Sequence, residues 1–261
     1  MPSSSSANSN CHTPVGIIGA MPEEIKKLNE NVQNIKEHVH NDFLKFYEGT
    51  LHGRPVIYAA SNVGMVFAAS VVTTLINQFK CHTIIFSGVA GGLVDDIEIG
   101  EVVLVKDVLN YEMNCKEFIL PFAPDHRHKL GELPFISLRE FASDEKLLNI
   151  AKEAAEEMQD KHGVKHRVAR IVSGSEFVTL ERKKALKEVW EECGNPHAVE
   201  MEGAAVAQIC KAYKVPFLLV RSISDNMSGD ASEDFSKFCQ EAADNCYHIV
   251  EAIVQRYEPE E

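Results

Sequence analysis

Short apolar runs alternate along the chain with longer amphipathic stretches, and this alternation organises most of its length. Residues 15–18 form an apolar run of strand length. Gly19, Ala20 and Met21 read as a turn. Pro22 stands at the first position of a helix, where its missing N–H costs nothing. Residues 44–51 and 55–60 predict two strands joined as a hairpin through His52, Gly53 and Arg54. The pattern over 65–79 predicts a helix with a small, apolar buried side, and those over 83–86 and 101–109 predict strands. Ser143 is the expected cap of a helix reaching about Lys161. A strand over 166–172, a charged surface helix over 181–192 and a long amphipathic closing helix over 234–256 complete the pattern.

The densest information lies in residues 198–225. Glu200 and Glu202 stand two apart ahead of an Ala-rich helix over 203–213, and an apolar strand over 215–223 ends at Ser224 and Asp225. Open α/β sheets place their chemistry just outside the carboxyl ends of strands, so an acid at this position is a candidate. Strands alternating with helices predict one three-layer α/β/α domain over 15–256. The polar start, residues 1–14, reads as a disordered leader, and residues 257–261 read as an acidic tail.

Charge narrows the partners. With 261 residues and a formal net charge of −13, the chain offers no clustered cationic surface for nucleic acid or an anionic membrane. Seven Cys at 11, 81, 115, 193, 210, 239 and 246 contain no C-x-x-C and read as reduced thiols of a cytoplasmic protein. No apolar run approaches membrane-spanning length.

Three features carry candidate chemistry. Glu23 and Glu24, in the first turn after Pro22, either complement the helix dipole or supply an active-site base at the mouth of the first strand. The run Ser87 to Gly92 reads as a glycine-rich turn that admits close approach of backbone and offers its N–H groups. It is neither G-x-G-x-x-G nor a P-loop. The run Asp125-His126-Arg127-His128 lacks a Cys or third His at ligand spacing and reads as a solvated loop.

Taken together, Gly16 to Glu24, Val89 to Gly92, Ser173-Gly174 with Phe177, Val199 to Glu202 and Arg221 to Asp225 resemble the 5′-methylthioadenosine/S-adenosylhomocysteine nucleosidases of the nucleoside phosphorylase superfamily. The resemblance spans about 15–256 and implies a nucleoside phosphorylase-like sandwich with a central mixed sheet. It implies cleavage of an N-ribosidic bond by acid–base catalysis, with no metal or organic cofactor. By resemblance, Asp225 protonates adenine N7, Ser224 orients it, Glu24 activates water, and Glu202 holds the ribose hydroxyls and steadies the developing cation. Met201 would lie against the ribose, Phe177 would stack on adenine, and the Val178 backbone would read its edge. Val63 and Phe235 would line the base and 5′ pocket, with Val89, Ala90 and Gly91 as the wall behind. Arg221 would pair with a nearby acid, Glu200 being the candidate.

The implied partner is a small adenine nucleoside, and the implied assembly is a homodimer. Three departures stand out: Ser175 replaces the family's Asp, Ser61 to Gly64 differ from its Ser-Gly-Ile-Gly loop, and 111–134 lacks the aromatic-rich run of bacterial members. The last leaves the 5′ substituent open, and Ser175 removes an expected acid near the base pocket. A phosphorylase of the same fold and a non-catalytic storage relative are the alternatives.

Overall fold

The computed structural model describes residues 13–226 and 231–258. The expected leader and tail therefore lie outside the described residues, except for Thr13, Pro14, Tyr257 and Glu258. The last two do not behave as a tail. Tyr257 is buried, and Arg54 Nη1 lies 2.6 Å from Glu258 Oε1.

In chain order the elements are β1 (Val15–Gly19), α1 (Pro22–Asn31), β2 (Gln33–Val39), β3 (Lys45–Leu51), β4 (Arg54–Ala60) and α2 (Met65–Asn77). There follow β5 (Thr83–Gly92), β6 (Val102–Asn110), β7 (Phe141–Ala142), α3 (Glu145–His162), β8 (His166–Ser173), α4 (Leu180–Ala185) and α5 (Lys187–Glu192). β9 (Ala198–Glu200), α6 (Gly203–Tyr213), β10 (Phe217–Asp225) and α7 (Ala231–Arg256) complete the fold.

One mixed sheet carries all of this. β1 lies parallel between β4 and β5, and β10 runs parallel to β5 on its far side. β10 then pairs antiparallel with β6, β6 parallel with β8, and β8 parallel with β9. β9 returns antiparallel to β5 through Gly91↔Val199 and Gly92↔Ala198. The strands β5, β10, β6, β8 and β9 thus close on themselves, while β1, β4, β3 and β2 extend outward as an open arm.

Side chains on successive strand residues point to opposite faces, and the buried runs use both. Ile18 and Leu219 pack with Val71, Leu75, Val206 and Ala207 of α2 and α6. Their neighbours Ile17 and Leu218 pack with Ile25, Leu147, Ile249 and Ile253 of α1, α3 and α7. Each such side chain stabilises the fold by about 1.5–3 kcal/mol relative to exposure. A third cluster gathers Tyr111, Val172, Val178 and Trp190 beneath α4 and α5.

Besides the short strands β7 and β9, which no pattern announces, the structure departs from expectation in four places. β2 was not expected, because nearly all of it is exposed and it carries no apolar alternation. The charged helix over 181–192 is two short helices that break at Leu186. Asp144, not Ser143, caps α3: its carboxylate accepts from Leu147 N at 2.9 Å, while Ser143 Oγ is buried without a partner. The glycine-rich run is not a turn. It continues β5 to Gly92, and none of Gly88, Gly91 and Gly92 adopts positive φ.

Candidate active site

Four chain segments bring acids to one cavity of about 390 Å³. It opens where β1, β5 and β10 end, with the β8–α4 loop and the N-terminus of α7 forming further walls. Glu24, Val63, Val89, Ala90, Gly91, Phe177, Val178, Met201, Glu202, Ser224, Asp225 and Phe235 all line it, so every residue assigned to the pocket from sequence reaches it. Ala20, Met21, Glu176, Val199 and Glu200 line it too, and sequence reasoning did not place them there.

Glu24 sits at the third position of α1. Its Oε2 accepts from the N–H of Ala20 and, at 3.1 Å, of Met21; Oε1 accepts from Val89 N at 2.9 Å. The N–H of the glycine-rich strand is therefore turned toward a carboxylate. Gly88 makes that approach possible, because a Cβ there would stand 2.5 Å from Glu24 Oε1 and 3.2 Å from Arg221 Nη1. Burial pushes the Glu24 pKa up, and the Arg221 charge and the three backbone donors restrain that rise.

Glu200 and Glu202 divide their work. Glu200 accepts from Arg221 Nη2 at 2.7 Å, from Gly203 N at 2.8 Å and from the Ser173 hydroxyl, so it ties β8, β10 and the start of α6 together. The proposed pairing with Arg221 is thus present, between two side chains that are 1 % and 2 % exposed. Arg221 is further pinned by the carbonyls of Phe86 and Val220, both at 3.2 Å, and lies 4.0 Å above the Phe86 ring. Glu202, the residue before α6, accepts from Gly64 N at 2.7 Å. Burial, then the nearby Glu200 charge, pushes its pKa to about 8.

Asp225 ends β10, where the register with β5 shifts between Ile223 and Asp225. Ser224 Oγ donates to its Oδ2 at 3.2 Å, and Oδ1 is buried without a partner among the described residues. Burial raises its pKa to about 6, against the Ser224 hydrogen bond. Phe177 and Phe235 meet edge to face with centroids 5.7 Å apart, forming an aromatic corner of the cavity. No Lys or Arg lines the cavity among the described residues.

The arrangement can hold a flat base against aromatic rings and present it with a carboxyl whose proton is held to about pH 6, well above the ordinary carboxylate range. It sets a second, hydrogen-bonded carboxyl, that of Glu24, on the lining of the same cavity. Outside it, the expected solvated His run is only partly solvated. His128 is buried, and Glu132, which the Cys/His spacing rule passes over, joins both imidazoles.

Comparison with known proteins places the chain in a family. The sequence profile of the Phosphorylase superfamily matches residues 14–255. The 5′-methylthioadenosine/S-adenosylhomocysteine nucleosidase of Staphylococcus haemolyticus is 33% identical over 242 residues, covering 92% of this chain and 99% of that protein. The Neisseria meningitidis enzyme of the same name, solved with methylthio-immucillin-A, superposes with a TM-score of 0.84 at 32% identity, covering 94% of this chain and all of that one. A futalosine hydrolase of Helicobacter pylori superposes with a TM-score of 0.81 at 31% identity, covering 94% and 98%. The acids gathered at the strand ends and the likeness over nearly the full length lead to one assignment: this chain belongs to the 5′-methylthioadenosine/S-adenosylhomocysteine nucleosidases of the phosphorylase superfamily.

Proposed function

We propose that the protein hydrolyses the N-ribosidic bond of 5′-methylthioadenosine and S-adenosylhomocysteine, releasing adenine and a 5-thio-substituted ribose. The observation that carries this reading is a cavity lined by Glu24, Glu202 and Asp225 and, among the described residues, by no Lys or Arg. Phosphorolysis would need cationic groups around an attacking phosphate, and these carboxylates repel it. A storage relative would have no use for three buried acids, each of which costs stability.

In the proposed reaction, Asp225 gives its proton to adenine N7 as the C1′–N9 bond breaks and its electron pair passes to the base. Adenine then departs neutral. Glu24 takes a proton from water, whose oxygen forms the new bond to C1′. One proton leaves Asp225 and one arrives at Glu24, so the step balances. Glu202, held by Gly64 N, receives the ribose hydroxyls. As positive charge grows on the ribose, the carboxyl oxygens of Glu202 face it and stabilise the transition state. Met201 lies against the sugar, Phe177 stacks on the base, the Val178 backbone reads its edge, and Val63 and Phe235 shape the pocket toward the 5′ group.

The catalytic unit is one domain that runs from Val15 to at least Glu258. The working form is a homodimer in the cytoplasm. Val63, Val66, Phe67 and Phe43, all exposed on the isolated chain near the cavity mouth, support that assembly. The decisive experiment incubates purified protein with 5′-methylthioadenosine in phosphate-free buffer and separates the products. Adenine with methylthioribose is expected. Adenine appearing only with added phosphate, alongside a sugar 1-phosphate, would overturn the hydrolytic reading.

A further inference from the structure

The segment between β6 and β7 contains a second group of chemically competent side chains, and none of them lines the cavity. His126 Nε2 lies 2.7 Å from Glu132 Oε1, and His128 Nδ1 lies 3.1 Å from the same oxygen. All three donor atoms fall within 4.8 Å of one another. The two imidazole rings cross at 77° with centroids 4.6 Å apart, so the nitrogens converge on the carboxylate.

Burial gives this cluster a floor and an opening. The side chains of His128 and Glu132 are 0 % and 8 % exposed, while His126 is 40 % exposed. Glu132 is fixed from behind, since its Oε2 accepts from Lys129 N at 3.0 Å. The ring of Phe118 stacks on His128 at 6.3 Å and shields it. His128 Nε2 is buried with no hydrogen-bond partner, so the polar contacts of this imidazole run through Nδ1 into the cluster.

We propose that His126, His128 and Glu132 bind a divalent transition-metal ion of the zinc class, with water completing its coordination. Two imidazole nitrogens and one carboxylate oxygen form a donor set typical of such ions, whereas calcium and magnesium favour oxygen shells. A tetrahedral ion with zinc–ligand bonds of 2.0–2.1 Å holds its ligands about 3.4 Å apart. Small rotations about the exposed His126 reach that spacing. The ion takes no part in bond cleavage. It cross-links a segment that, between Asn110 and Phe141, pairs in strand fashion at just two isolated bridges and presents Phe118, Phe122 and Phe135 to solvent.

The test uses untagged, full-length protein stripped on a chelating resin, titrated with zinc sulfate by calorimetry and with cobalt chloride by visible absorption. One equivalent should bind, with cobalt bands typical of four or five nitrogen and oxygen ligands. His126→Ala and Glu132→Gln should each weaken binding by about tenfold or more, with adenine release by His126→Ala unchanged. His126 is exposed enough for its variant to fold, and Glu132→Gln is nearly isosteric. Absence of saturable binding would overturn the proposal and leave a carboxylate that merely accepts from two imidazoles. Unchanged affinity in both variants, or sulfur-to-cobalt charge-transfer bands, would also overturn it by placing the ion on thiols.

Discussion

Replacing Asp225 with Asn removes the proposed acid while almost preserving its shape, and the structure sets two magnitudes for the result. The first is kinetic. Loss of a positioned general acid lowers kcat by about 10²–10⁴-fold. The second is thermodynamic. The pKa of Asp225 rises from 3.8 to about 6, chiefly because burial strips water from the carboxylate. That displacement corresponds to roughly 3 kcal/mol in favour of the neutral form. A group raised in this way contributes stability that is fully present below its unfolded pKa and is lost as pH rises through the folded value. Asn carries no such dependence. Its amide introduces a cost of about 1–3 kcal/mol if it stays unpaired, but that cost does not vary with pH. Comparing wild type and Asp225→Asn by urea denaturation at about pH 4.5 and about pH 8 cancels it. Between these two conditions the variant should gain about 2 kcal/mol relative to wild type. Adenine release is assayed on the same samples. A variant with wild-type turnover would remove Asp225 from the acid role. A stability difference flat in pH would refute the claim that its burial sets the protonation state.

Two further outcomes follow from the same geometry. Gly88→Ala places a methyl 2.5 Å from Glu24 Oε1 and must displace that carboxylate; because a misplacement of about 1 Å costs about 10²-fold, kcat should fall by that order while circular dichroism stays native. The pH profile of kcat/KM should be bell-shaped, with an alkaline limb beginning at about 6 as Asp225 deprotonates and an acid limb above the ordinary carboxylate range, where burial holds Glu24; a profile flat across neutral pH would contradict both assignments.

What could be read from sequence was what burial imposes on it. β1, β5 and β10 are buried on both faces, and their continuous apolar runs mark β1, β10 and the first four residues of β5. β2 has no such signature, because a sheet edge open to solvent places no demand on residue type. Helix α3 was found, but Ser143 and Asp144 are both good caps in isolation, and the choice between them depends on which oxygen reaches Leu147 N. The glycines at 88–92 were read as a turn because glycine allows one. In the fold they serve a long-range contact with Glu24, which local pattern cannot encode. Glu132 was invisible for a similar reason: a carboxylate joins two imidazoles only when the chain between them folds back.

The electrostatics of the cavity explain why these acids must be treated as a set. Glu24, Glu200, Glu202 and Asp225 line one space, and Arg221, whose charge acts on Glu24 and Glu202, is hydrogen-bonded to Glu200 at 2.7 Å. Arg221 cannot turn to serve another acid, since Phe86 and Val220 hold its Nη1 and the Phe86 ring lies against its plane. Negative charge therefore outnumbers positive, and burial pushes the acids toward their protonated forms, Glu202 to about 8 and Asp225 to about 6. Glu24 receives three backbone N–H groups, Glu202 one, and Asp225 a single hydroxyl. Such a site works against the stability of the empty fold, because uncompensated buried acids cost free energy. It becomes favourable only when a ligand brings positive charge to the centre of the ring, as an N-riboside does at the moment its glycosidic bond breaks.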